Sequence, residues 1–71
     1  MFDLQLFRFE HQGDDIEVVT HGGTSEIYYR KNGGEPQNTY AMFKEDRSTF
    51  VSPEGKILGC AEAVAFVRGL L

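Results

Sequence analysis

Apolar and polar residues alternate along most of this chain, and the alternation stops at Gly59. Phe2, Leu4 and Leu6 alternate with Asp3 and Gln5, the period-2 signature of a strand. The phase then slips by one, so that Phe7 and Phe9 become the apolar positions with Arg8 and Glu10 between them. Such a slip predicts a β-bulge near Leu6–Phe7, or burial of both strand faces. His11 to Asp15 reads as a turn, and Ile16 to Thr20 as a second strand rich in β-branched residues. His21-Gly22-Gly23-Thr24 carries a Gly-Gly hairpin signal. Ser25 to Arg30 forms a third strand, with Ile27 and Tyr29 on one face and Tyr28 and Arg30 on the other. Asn32-Gly33 marks the next hairpin. Thr39 to Lys44 follows, with Tyr40 and Met42 opposed to Ala41 and Phe43, and then Thr49 to Val51. Ser52-Pro53-Glu54-Gly55 has the residues of a type I turn, after which Lys56 to Leu58 pairs back.

Beyond Gly59 the period is helical. Cys60, Ala61, Val64, Val67 and Leu71, joined by Ile57, follow helical spacing, and Ala63, Phe66 and Leu70 widen the stripe. Glu62 in the first turn and Arg68 near the end suit the helix dipole. With so few polar positions the helix is expected to be mostly covered. Consecutive hairpins followed by one helix predict an α+β fold. It is an antiparallel β-meander of about four to five strands with the C-terminal helix packed on one face. All 71 residues fall in one small domain, 1–58 forming the sheet and 59–71 the helix.

Charge changes this picture by half. Residues 1–35 hold seven acids against three bases, whereas residues 36–71 hold four of each, so the whole formal charge of −4 resides in the first half. That half repels phosphate backbones and attracts a basic partner. A 71-residue domain buries only about 60% of its unfolded surface, so a deep enclosed site is not expected. One cysteine excludes an internal disulfide and fits a reducing compartment. No apolar run approaches the roughly 18 residues of a membrane span, and no basic segment followed by an apolar one opens the chain. A cytoplasmic location is the expectation.

Chemistry is sparse. Cys60 at a helix start is a conceivable nucleophile, but nothing in the spacing links it to His11, His21 or a carboxylate, and a small packing residue is expected there. His11 with Asp14 and Asp15 lacks the converging ligands of zinc and the rhythm of a calcium loop. The Gly-rich segments at 22–23 and 33–34 lead into strands rather than into a helix, unlike a phosphate-binding loop. No catalytic residue, metal or cofactor is expected. Tyr28, Tyr29 and Tyr40 are of the type that stacks on bases, although acids outnumber bases eleven to seven.

Three resemblances bear on function. Met1-Phe2-Asp3-Leu4-Gln5-Leu6-Phe7 is similar to the opening of many phage structural proteins, which implies phage or prophage origin. Phe50 to Leu58, followed by Glu62 to Val67, resembles the strand–Ser-Pro-x-Gly-Lys–strand–helix segment of methyl-CpG-binding domains, with Lys56 on that family's lysine. Gly59-Cys60 stands where that family carries Arg-Ser, and the first half is acidic where it presents base-reading arginines. The resemblance implies a small sheet with one helix that binds DNA. As a class, small acidic sheet-plus-helix chains without catalytic motifs also resemble phage-encoded anti-CRISPR inhibitors.

These readings converge on a non-catalytic protein-binding module, an inhibitor of anti-CRISPR type. It occupies the basic nucleic-acid-binding site of a partner such as a bacterial nucleoprotein complex. The expected contacts are Glu10, Asp14, Asp15 and Glu17, with Tyr28 and Arg30 at the rim. The alternative is a sheet-based DNA-binding domain using Arg30, Lys31, Lys44, Arg47 and Lys56. The long Phe-rich first strand also raises a homodimer through an edge strand.

Overall fold

The first hairpin is closed by only two residues, Gln12 and Gly13, and both take left-handed backbone, φ 50° and 86°. That pairing of signs defines the primed turn whose twist matches the flanking strands. The strands therefore run further than the sequence pattern indicates. β1 spans Leu4–His11 and β2 spans Asp14–Thr20, with His11 opposite Asp14. The expected five-residue turn contracts because Asp14 and Asp15 are held in the ladder by partners on the next strand. The computed structural model describes residues 4–46 and 48–71. The expected pairing role of Phe2 and the charge of Arg47 lie outside the described residues.

The remaining strands are β3 (Glu26–Lys31), β4 (Gln37–Phe43), β5 (Phe50–Val51) and β6 (Ile57–Leu58), and α1 covers Cys60–Leu70. The sheet order is β1-β2-β3-β4-β5-β6, every neighbour antiparallel. The fold is thus an α+β meander curled into a half-barrel, with six strands rather than four to five. The count rises because the return expected at Lys56 to Leu58 forms a strand of its own, β6, after the Ser52–Gly55 turn: the Gly55 amide donates to the Ser52 carbonyl at 2.9 Å and the Lys56 amide to the Ser52 hydroxyl at 3.1 Å.

Two bulges bend the sheet. In β1 the register shifts between Gln5 and Phe7, so Leu6 is the unpaired residue, as the phase slip predicts. In β4 the partner of Glu26 is Met42 and that of Tyr28 is Asn38, so β4 uses two more residues than β3. Tyr40 absorbs the excess at φ 61°. The buried Thr39 hydroxyl stitches the bulge, donating to the Ile27 carbonyl at 2.8 Å and accepting from the Ala41 amide at 3.2 Å.

The core lies between one sheet face and α1. Ile16, Val18, Ile27, Ala41, Phe50 and Leu58 from the sheet meet Ala63 and Val67 from the helix. Phe7, Phe9, Tyr29, Phe43 and Phe66 fringe it, and Phe7 meets Phe50 edge-on at 5.6 Å. α1 is capped by Glu62, whose carboxylate accepts from the Gly59 amide at 3.3 Å. The helix departs from expectation in coverage. Only Ala63 and Val67 are buried, while Cys60, Ala61, Ala65, Leu70 and Leu71 are exposed. Ile57 of the same apolar stripe is 62% exposed on β6. A two-layer fold covers one side of its helix, and among the described residues no further layer covers the other. Cys60 is correspondingly an exposed free thiol rather than a packing residue.

Candidate functional site

Strand alternation sorts the expected contact residues onto two faces. Ile16 and Val18 face α1, so Asp15, Glu17 and Val19 face away from it. Ile27 and Tyr29 face α1, so Glu26, Tyr28 and Arg30 face away. Past the bulge in β1, Phe7 and Phe9 face α1, leaving Arg8 and Glu10 on the outer side. The register places Glu10 opposite Asp15, Arg8 opposite Glu17 and Glu17 opposite Arg30. Five of the six expected residues therefore share the outer face. Asp14 does not: it shares parity with Ile16 and sits at the hairpin end beside Lys31 and Asn32.

The outer face is a bonded polar lattice. Arg8 holds Asp15 with a two-pronged contact, Nε to Oδ1 at 2.9 Å and Nη2 to Oδ2 at 2.8 Å. This fork keeps the Asp15 carboxyl below the usual carboxylate range, first by hydrogen bonding and then by charge, and it raises Arg8. Glu17 accepts from Gln5 at 3.2 Å and lies 3.8 Å from Arg30 Nε. Glu26 accepts from the Tyr28 hydroxyl and from Asn38, both at 3.1 Å, and the first of these bonds raises the Tyr28 phenol. His21 meets the Tyr28 ring edge-on at 5.5 Å. In the middle, Val19 is 1% exposed, flanked across the strands by Gln5 and Tyr28. Glu10 has no side-chain partner among the described residues.

On the other side of the hairpin, Asp14 accepts from Asn32 at 2.9 Å and lies 3.3 Å from the Lys31 ammonium. The Asn32 bond, then the Lys31 contact, lower its carboxyl. Asn32 also closes the β2–β3 end by accepting from the Asp15 amide and donating its own amide to the Asp15 carbonyl, at 2.8 and 2.7 Å.

Further along, the same outer face turns apolar. Met42 pairs with Val51 and Val51 with Ile57, forming a cross-strand row in which Met42 is 46% exposed. Sequence reasoning placed Ile57 in the helical stripe and left Arg8, Glu26, Asn38 and Met42 out of the site. Shared parity with Tyr28 marks Glu26, but the partners on other strands depend on register. The described cations of the DNA-binding alternative do not gather. Arg30 lies against Glu17, Lys31 against Asp14, and Lys44 and Lys56 are exposed on separate turns.

No protein-family model, curated protein or solved structure matches this chain. Function is therefore argued from the site alone. Among the described residues no three His, Cys, Asp or Glu side chains come together as a metal site, and no helix is long and apolar enough to cross a membrane. His11 ends β1 and His21 follows β2, whereas Cys60 opens α1. An open depression beside the end of β4 is lined by Ser25, Phe43, Lys44, Glu45 and Asp46.

Proposed function

We propose that this protein is a non-catalytic binding module that recognises a protein with a basic surface through the outer face of its sheet. The observation that supports this reading is the arrangement on that face: Glu17 and Glu26 flank Tyr28, and Glu10 and Asp15 extend the acidic surface toward the β1–β2 turn, against the two cations Arg8 and Arg30. Hydrogen bonds fix Asp15, Glu17, Glu26 and Tyr28 before any partner arrives, which reduces the ordering cost of association. Tyr and Arg are the side chains that anchor interfaces, and the Met42–Val51–Ile57 row supplies apolar contact beside them. The specific form of the proposal is a phage-encoded inhibitor of anti-CRISPR type. It acts in the bacterial cytoplasm by occupying a channel that otherwise takes nucleic acid.

The test is affinity capture from bacterial lysate, identification of captured proteins by mass spectrometry, and titration of the purified partner. Glu17→Gln and Tyr28→Ala on the outer face are each expected to weaken binding about tenfold or more, the scale of a contact worth 1.4 kcal/mol. Asp14→Asn, on the opposite face, is expected to leave it unchanged. Full affinity in both outer-face variants sinks the assignment to this face. Direct DNA binding with a steep salt slope, measured by fluorescence anisotropy without any partner, replaces it with the DNA-binding reading.

A further inference from the structure

β1 is an edge strand among the described residues: in the sheet order it has β2 on one side and no strand on the other. The two edges are not equivalent. β6 has two residues, Ile57 and Leu58, whereas β1 has eight. Within β1 the bulge at Leu6 and the turn at Gln12 leave a regular run from Phe7 to His11, with Phe9 at its centre.

The hydrogen-bonding direction of each residue in that run follows from its neighbours. The Asp15 carbonyl accepts from the Asn32 amide, so Asp15 directs its backbone groups toward β3. Alternation then directs those of Ile16 toward β1, where Ile16 meets Phe9. Phe7, Phe9 and His11 thus spend their backbone groups on β2. Arg8 and Glu10 direct theirs to the open edge, an unpaired N–H and C=O on each.

We infer that two copies of this chain pair antiparallel through β1, about a two-fold axis at Phe9. In that register Arg8 of one copy lies opposite Glu10 of the other, and the reverse holds across the axis. Both pairs are of the hydrogen-bonded type, so every free backbone group of Arg8 and Glu10 finds a partner. Phe9 meets Phe9 between them as a non-hydrogen-bonded pair, where opposed Cα atoms approach to about 4.5 Å.

Three features on this strand select the second copy as occupant. The first is charge. Opposed residues must lie on the same face, so the axis falls on a residue. An axis at Arg8 sets arginine against arginine, and one at Glu10 sets glutamate against glutamate. Only the Phe9 register brings opposite signs together within the regular run. The second is the absence of a side-chain partner for Glu10 among the described residues, while Arg8 keeps more than half its side chain exposed even with Asp15 in its fork. The third is the fringe of the core. Phe9 stacks on Phe7 at 6.4 Å and carries the Arg68 guanidinium 5.3 Å above its ring, yet stays only partly buried at the sheet margin. A second Phe9 continues that margin. Edge charges commonly prevent strand pairing, but here the pattern is its own complement and so fails to repel a copy. Pairing leaves the outer faces of the two sheets continuous, and it does not depend on the function proposed above.

Sedimentation velocity across a concentration series up to about 1 mM tests this. The wild-type chain is expected to shift from monomer to dimer. Glu10→Lys, which opposes Arg8 with a cation, and Arg8→Glu, which opposes Glu10 with an anion, are each expected to weaken dimerisation at least tenfold. Their equimolar mixture is expected to dimerise, because lysine at 10 then meets glutamate at 8 while the unmodified Arg8 and Glu10 meet across the axis. Amide exchange supplies a readout independent of the variants: the Arg8 and Glu10 amides are expected to slow as concentration rises. A wild-type chain that stays monomeric throughout overturns the inference. So does undiminished dimerisation of Glu10→Lys, failure of the mixture to associate, or exchange at Arg8 and Glu10 that ignores concentration.

Discussion

Tyr40 carries the least comfortable backbone among the described residues. It is bulky, sits at φ 61°, and is 74% exposed, so little packing rewards the conformation. Left-handed backbone costs a residue other than glycine on the order of 1 kcal/mol, and asparagine tolerates it best. Its amide is occupied by the Asn38 side chain at 2.8 Å, which favours the tight local path. Tyr40→Asn is therefore expected to raise stability by about 0.5–1 kcal/mol in urea unfolding. A loss of stability would mean that the exposed ring makes a contribution larger than the backbone strain. Gln12 and Asn32 occupy the same region at φ 50° and 53°, but each stands beside a glycine in a tight turn: Gln12-Gly13 close the first hairpin, and Asn32-Gly33 form a turn in which the Gly34 amide donates to the Lys31 carbonyl at 3.0 Å.

At the scale of elements, the β4 bulge depends on one hydroxyl. Thr39→Val keeps the shape and removes the atom that serves both the Ile27 carbonyl and the Ala41 amide. With both groups left unmet in a buried place, the cost is expected to be about 1–3 kcal/mol, seen as a lower urea midpoint with an unchanged slope. The two bulges also mark what the sequence discloses. Leu6 was legible because a bulge shifts the apolar phase, and Phe7 and Phe9 display the shift. The bulge at Tyr40 was not, because its two extra residues restore the phase: Ala41 and Phe43 still face the core. The hairpins at Asn32-Gly33 and Gly22-Gly23 were legible from residues that accept positive φ, whereas Gln12 gave no such signal. Helical spacing identified α1 and its apolar side, but periodicity does not report how many layers cover a helix, so the exposure of Cys60 and Leu70 was hidden. For the recognition face, the charges and the shared parity of Tyr28 and Arg30 were readable. The pairings were not, since Arg8 reaches Asp15 only through a register that a bulge has altered.

Over the whole molecule, carboxylates and their partners set the pH response. Asp14, Asp15 and Asp46 all lie below the ordinary carboxylate range, Asp46 chiefly through the Thr49 hydroxyl and then the Ser48 and Thr49 amides. Their folded forms bind protons less readily than the unfolded chain, so this stabilisation is complete above the unfolded value near ~3.9 and disappears as pH falls through the folded ones. Tyr28 acts in the opposite sense: its raised phenol contributes stability below ~10 that is lost as pH climbs through the folded value. Urea midpoints should hold steady near neutrality and drop below about pH 4, and Asp15→Asn should flatten part of that acid limb. An acid limb identical to wild type would show that the Arg8 fork adds nothing to stability. The strict chain order of the sheet has one more consequence, for synthesis. Each new strand pairs with the one made just before it, so hairpin can follow hairpin as the chain leaves the ribosome, each closing a short loop at little entropic cost. Ala63 and Val67, which seal the core, emerge after all six strands. Until then the nascent sheet holds its Phe-lined face open to water, and α1 converts a growing ribbon into a closed core.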